Sequence, residues 1–417
     1  MTNSRNDIVN MTGGVFSMRI IFLGAGLGII GVILGLVKGS VSAAMYDLPI
    51  LVVVIGIGVA GYGLVKYFSA RKNPGEVVDL SRDAMTRAML NNAIMMALII
   101  LIIIICIIQP RFMQVRVFLD ILTISSPRLI TALGISFSLL IAGVDLSAGR
   151  MVGLAAVITS SMLQIPDYAN RFYPDMGQIL VFIPIVIAIL VCMGFGSVSG
   201  FLSAKYGMHP FVATLAVQLI VYGTCSLYFD TSPNNSQPIG GVRPDFAALG
   251  QAKIGAVEGG FPGISVMIPI AAGICVAIWF LLNKTVFGKN VYAIGGNREA
   301  AIVSGVNVFR TIMLVFILGA ALYAFSGTLE AARTAGATNN YGLGYELDAI
   351  AACVVGGVSL MGGIGRISGI VSGVLVFSVI QYGLQFLNIS PMIQYIVKGI
   401  ILAVAVAIDM TKYRTRN

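Results

Sequence analysis

Residues Val181-Phe182-Ile183-Pro184-Ile185-Val186-Ile187-Ala188-Ile189-Leu190-Val191-Cys192-Met193 form the centre of an apolar run, 178–203, that contains no Asp, Glu, Lys or Arg. A helix needs about 20 predominantly apolar residues to cross the hydrocarbon core of a bilayer, and this run supplies them. Similar runs fall near 20–37, 48–68, 91–109, 120–143, 150–166, 208–229, 264–282, 311–330, 346–362, 367–387 and 393–409. The pattern predicts an all-α, polytopic integral membrane protein with about twelve transmembrane helices. Composition agrees, because 58% of the 417 residues are hydrophobic and only 10% are charged. A soluble domain carries about 25% charged residues, so a soluble enzyme, a disordered scaffold and a secreted disulfide domain are excluded. The net charge of +9 comes without a basic stripe or an aromatic-rich motif, which counts against nucleic-acid binding.

The few reactive side chains narrow the chemistry. Cys106, Cys192, Cys225, Cys275 and Cys353 are widely spaced in apolar runs and show no metal spacing; they read as small buried hydrophobes. His209 is the single histidine and stands before Pro210, so it reads as an interfacial residue near a helix start. One histidine cannot build a multi-histidine zinc site, and a Ser-His-Asp relay is improbable. No G-x-x-x-x-G-K-[ST] cradle exists, since Gly288-Lys289 is followed by Asn290 and lacks the upstream glycine. Metal ligands, catalytic residues and bound cofactors are therefore not expected, and energy must come from an ion gradient or a separate protein.

The gaps between spans set the orientation. Residues 69–90 hold Arg71, Lys72, Arg82 and Arg87; 283–310 hold Lys284, Lys289, Arg298 and Arg310; 411–417 hold Lys412, Arg414 and Arg416. Alternate counting puts all three on one side, which the positive-inside rule makes cytoplasmic. Both termini are then inside, and the Ser-, Pro-, Asn- and Gly-containing gap 230–263 is outside. The first run is too long for a signal-peptide core and reads as a retained helix. Spans 20–37 and 48–68 pair as a hairpin, and 69–90 is a charged linker. The expected organisation is thus 1–90 as an N-terminal hairpin unit and 91–417 as the main transmembrane domain.

Polar residues inside or between spans are functional candidates, because lipid makes them costly. Asp145-Leu146-Ser147-Ala148-Gly149-Arg150 joins two apolar runs. Asp145 and Ser147 suit the cap of a following helix, inside either a buried helix break or an ordinary cytoplasmic turn. Glu330, Arg333, Asn339, Asn340, Tyr345, Glu346 and Asp348 gather around an outer-side connection. Polar fingers beside aromatic faces suit a sugar, although Glu330 and Arg333 at i, i+3 equally suit a simple ion pair. Glu346 and Asp348 equally suit the acidic first turn of a helix. Lys398, and with it Arg128, is expected to snorkel to the interface. Asn297-Arg298-Glu299-Ala300-Ala301-Ile302-Val303-Ser304-Gly305 reads as a short helix with a small-residue face, stopped by Gly305. Such a helix fits a partner's groove or serves as a plain connector.

That last segment resembles the E-A-A-x-x-x-G loop of binding-protein-dependent ABC importer permeases, through Glu299, Ala300, Ala301 and Gly305. Asp145-Leu146-Ser147-Ala148-Gly149, Phe287-Gly288-Lys289-Asn290 with Ala293-Ile294-Gly295-Gly296-Asn297 behind it, and Tyr345-Glu346-Leu347-Asp348-Ala349-Ile350-Ala351-Ala352-Cys353-Val354-Val355-Gly356-Gly357 are similar to the ribose/xylose/arabinose/galactoside branch. Within it, Ala337-Thr338-Asn339-Asn340 and Ser304-Gly305-Val306-Asn307-Val308 are most similar to galactose/methyl-galactoside permeases. The resemblance covers 91–417 and implies ten spans there, leaving the hairpin unexplained.

The resemblance implies a sugar permease in the inner membrane of a prokaryote, paired with a second copy of itself. A cytoplasmic subunit would bind ATP and Mg, and a soluble sugar-binding protein would dock outside. Asn297, Arg298, Glu299, Ala300, Ala301 and Gly305 would form the coupling helix. Asp145, Ser147, Asn339, Asn340, Tyr345, Glu346 and Asp348 are the pathway candidates, with galactose or methyl-galactoside as cargo. The rivals are an ion-gradient transporter, a permease for another pentose or hexose, an accessory subunit and, last, a membrane enzyme.

Overall fold

A computed structural model describes Ile105, 108–257 and 261–414. The chain divides into two compact units, 1–118 and 119–417, and the helical bundle, apart from the first turn of its first helix, belongs to the second. The hairpin expected at 20–37 and 48–68, the linker 69–90 and most of the span 91–109 lie outside the described residues.

The helices are α1 (Val115–Leu140), α2 (Ala148–Met162), α3 (Phe182–Lys205), α4 (Pro210–Asp230), α5 (Pro244–Gln251), α6 (Met267–Lys284), α7 (Val286–Gly296), α8 (Arg298–Val303), α9 (Val308–Thr334), α10 (Tyr345–Val355), α11 (Ile367–Phe386) and α12 (Pro391–Arg414). A two-residue hairpin, β1 (Lys253–Ile254) with β2 (Ile264–Ser265), is antiparallel. Among the described residues α1, α3, α4, α6, α9 and α11 are long and apolar enough to cross a membrane.

Local chemistry explains the helix ends. His209 is the N-cap of α4 and accepts from the Phe211 N–H at 3.4 Å, ahead of Pro210 in the first turn; Pro fits there because that N–H is unsatisfied anyway. Asn307 caps α9 by accepting from the Arg310 N–H at 2.9 Å. The other end of α9 stops at Ala335, which is left-handed at φ +52°.

α9 is the axis of the unit and packs against α3, α2 and α5. Helices in lipid gain little from apolar burial against each other, so close backbone approach and polar links carry the association. At Gly196 of α3 an added Cβ would stand 2.6 Å from the Phe316 carbonyl oxygen, so only glycine allows the contact with α9. Thr131 of α1 donates to Ser326 Oγ of α9 at 2.8 Å, and Ser326 donates to the Pro127 carbonyl at 2.7 Å.

The two faces of the bundle differ. One, the basic side, carries Lys205, 285–307 and 356–366. The other, the long-loop side, carries 163–181, 231–257, 261–266, 335–344 and 387–390. There the bridges Gln164↔Val242 and Ile239↔Ala337 tie the loops together. Gln164 donates to the Gly240 carbonyl at 2.9 Å and accepts from the Phe172 N–H at 2.6 Å. Arg243 donates to the Ile179 carbonyl at 2.7 Å and pairs with Asp245.

Hydrogen bonds from Arg243 hold the Asp245 carboxyl below its ordinary 3.8. A depressed carboxyl stabilises the fold above its unfolded value and ceases to do so as pH falls through the folded one. The Phe246 N–H donates to Asp245 at 2.9 Å. Its exchange protection should therefore drop as pH falls below 3.8, and Asp245→Asn should lower it already at neutral pH.

Two expected spans are corrected. The runs 150–166 and 346–362 become helices of 15 and 11 residues, about 22 and 16 Å long. Neither crosses about 30 Å of hydrocarbon alone.

Candidate functional site

The break between α1 and α2 is buried deep in the bundle. Tyr323 of α9 donates to Asp145 Oδ2 at 3.1 Å. Tyr323 lies fifteen residues along a helix of 27, so about 22 Å along a rod of about 40 Å. Asp145 therefore sits at mid-depth. This is the buried helix break, not the cytoplasmic turn.

Much of the backbone of 141–147 is bonded within protein, as irregular chain inside a membrane requires. Gly143 N–H donates to the Ser138 carbonyl at 2.8 Å. Thr214 of α4 accepts from the Leu146 N–H and donates to the Val144 carbonyl, both at 3.1 Å. Asp145 Oδ1 accepts from the Ser147 N–H at 2.9 Å and from the Ser147 hydroxyl at 2.6 Å. Ser147 thus spends its hydroxyl on Asp145 and makes no side-chain cap to α2. Both residues are enclosed, so their observed work is to hold the break.

The two half-helices begin at the same place. A Cβ on Gly149 of α2 would overlap both Glu346 Oε2 and the Gly342 carbonyl at the start of α10. From there α2 runs to the Gln164 end on the long-loop side. α10 runs to Gly356, which abuts Gly369 in the first turn of α11. Two positive helix ends therefore meet at mid-depth, where carboxylates are favoured; Asp145 and Glu346 supply them. Glu346 is buried and its Oε2 has no hydrogen-bond partner among the described residues.

A polar belt crosses this level. Lys398 of α12 lies 2.7 Å from Asp348 of α10. Arg128, about 18–20 Å from either end of α1, places its guanidinium 5.7 Å from the Tyr345 ring. Tyr345 donates to Glu330 at 3.0 Å, and Glu330 pairs with Arg333 at 2.8 Å, the simple i, i+3 pair. Lys398 and Arg128 do not snorkel. Lys398 finds an opposite charge across the helix interface, and Arg128 is too far from either end to reach it.

Tyr345, Asp348 and Arg128 line a small cavity that also touches Gln381 of α11. Gln381 in turn borders a larger cavity of about 440 Å³ between α11 and α12, with Gln385, Asn388 and Gln394. Sequence reasoning misses these amides, though glutamines at i, i+4 inside an apolar run are a usable signal. Asn339 donates to Ser226 of α4 at 3.4 Å, and Asn340 is exposed on the same loop. The structure thus brings Tyr345 and Asp348 together at one cavity, sets Asp145, Ser147 and Glu346 about the meeting point of the half-helices, and leaves Asn339 and Asn340 on the long-loop side.

On the basic side, α7 and α8 meet at a corner. Asn297 is extended (φ −159°, ψ 108°) and accepts from the Ala300 N–H at 2.9 Å, which starts α8. Gly305 at φ +82° ends the turn. Ala301 faces inward, whereas Arg298, Glu299, Ala300 and Ile302 are exposed and Val303 is 88% exposed. Behind them α7 rests on the break, since Gly295 abuts the Leu140 carbonyl and Gly363 N–H donates to that carbonyl at 2.9 Å. Tyr292 adds a bond to the Gly365 carbonyl at 2.9 Å.

The family model described as "Branched-chain amino acid transport system / permease component" matches residues 117–406. The galactose/methyl galactoside import permease protein of Haemophilus influenzae is 48% identical over 330 residues, 78% of this chain and 96% of that protein. Its Escherichia coli counterpart is 43% identical over 326 residues, 78% and 95% of the two chains. The ribose import permease protein of Escherichia coli is 32% identical over 318 residues, 76% and 93%. No solved structure matches. The chain belongs to the branched-chain amino acid transport system / permease component family, and is thus a polytopic permease of the ABC import type.

Proposed function

We propose that this chain is the membrane-spanning subunit of an ATP-driven importer for galactose and methyl galactoside. The observation that carries this reading is 43–48% identity across nearly the whole length of permeases bearing that name. Ribose is the second cargo to consider, because ribose permeases align over a similar share at 32–37%. Within this reading the chain pairs with a second copy and sits among lipids in the inner membrane. The basic side and both termini face the cytoplasm, and the long-loop side faces the sugar-binding protein. ATP and Mg belong to the partner subunit, and this chain binds no cofactor of its own.

The geometry supports a specific coupling route. The partner ATPase holds α8 through the exposed stripe of Glu299, Ala300, Ile302 and Val303. Movement of α8 passes to α7, and α7 bears on Leu140 and Gly363 at the break. The break and the two half-helices are then the two-state element that nucleotide biases. Gly305→Val tests the route, because a β-branched residue at positive φ is strained. Uptake should fall about tenfold with a matching loss of sugar-stimulated ATP hydrolysis, while membrane insertion persists. Glu299→Ala should act in the same direction without backbone strain. Unchanged coupling in both variants sinks the docking assignment.

A further inference from the structure

We propose that the groove between α11 and α12, at the long-loop end of the pair, is a monosaccharide subsite, which receives the sugar on its way from the binding protein. The proposal rests on the sugar-import reading above and assigns that cargo a place. The cavity holds about 440 Å³, within the usual range of small-ligand sites. Gln381 and Gln385 share one face of α11 at i, i+4, and Asn388 lies in the loop just after α11, at φ +54°. Gln394, Tyr395 and Lys398 complete the lining from α12.

Amides suit this ligand chemically. Each offers two N–H donors and a carbonyl acceptor without charge, and each sugar hydroxyl both donates and accepts. Four amides line this one groove: Gln381 and Gln385 from the last turns of α11, Asn388 from the loop after it and Gln394 from the first turn of α12. The only charged side chain in the lining, Lys398, is engaged by Asp348 at 2.7 Å, so the groove favours a neutral polyol over an anion. Tyr395 adds a half-exposed aromatic ring for the apolar face of a pyranose. Gln394 is buried and donates to the Ile389 carbonyl at 2.8 Å, which fixes it at the mouth. Gln381 also borders the deeper cavity with Arg128 and Tyr345, so the groove leads on toward mid-depth.

The test uses vesicles carrying the complete importer and radiolabelled galactose. The double variant Gln381→Leu/Gln385→Leu should lose uptake about tenfold or more, while ATP hydrolysis stimulated by loaded binding protein changes by less than about twofold. Gln381→Asn/Gln385→Asn keeps the amides and should recover at least about a third of wild-type uptake. Wild-type uptake by the leucine variant overturns the subsite. So does a joint loss of uptake and hydrolysis, which would put these residues in folding or coupling. Failure of the asparagine variant also overturns it, because amide chemistry is then not what matters. Wild-type vesicles that import ribose but not galactose overturn the cargo reading alone, and the same variants are then scored on ribose.

Discussion

Replacing Lys398 with methionine should abolish most uptake and lower the melting temperature of the purified protein. Asp348, 2.7 Å away, would lose its counter-charge. Removing one partner of a buried ion pair costs about 3–5 kcal/mol. These side chains are 19% and 18% exposed, so solvent screening reduces the loss to about 2 kcal/mol. Asp348→Asn should cost a similar amount by stranding the ammonium. The double variant Asp348→Asn/Lys398→Met removes both charges and should regain most of the stability, since neutral replacement of a buried pair is often tolerated. Thermal unfolding of the two single variants and the double measures this coupling directly. Additive losses would show that the two residues act separately.

The second large effect is expected at the meeting point of the half-helices. Gly149→Val should prevent assembly, and Gly149→Ala should leave little folded protein. The added carbon overlaps the Gly342 carbonyl as well as Glu346 Oε2. A side-chain oxygen can swing away, but a backbone carbonyl fixed in the start of α10 cannot. Overpacking of a close contact costs about 1–3 kcal/mol for one methyl group, and the larger valine adds to that. Gly194→Ala on α3 is the control, because a Cβ there meets nothing within 4 Å. Folded yield by size-exclusion chromatography should be near wild type for Gly194→Ala and lowest for Gly149→Val. Wild-type yield from Gly149→Val would show that the half-helices do not meet as described.

Local signals are readable in the sequence, and signals between distant segments are not. The runs 178–203 and 208–229 become α3 (Phe182–Lys205) and α4 (Pro210–Asp230), because hydropathy tracks a straight helix well. The α8 turn is equally legible, since Asn297 and Gly305 act within a few residues of themselves. Hydropathy fails at 346–362, where Val358, Leu360 and Met361 raise the average without being helical. The glycines at 356, 357, 362 and 363 mark that irregular stretch, and the apolar count outweighs them. The Lys398–Asp348 pair spans fifty residues, so no spacing rule reveals it. Lys398 reads as interfacial because a helix taken alone offers it no other partner. Asp145 shows as a candidate, but its partner Tyr323 lies 178 positions away, and only packing places both at mid-depth.

The most direct measurement is galactose uptake by vesicles that carry this chain with its ATP-binding and sugar-binding partners. Uptake should require ATP, stop with vanadate, and persist when an ionophore collapses the ion gradients. Uptake that survives vanadate and collapses with the ionophore would contradict the ATP-driven import permease.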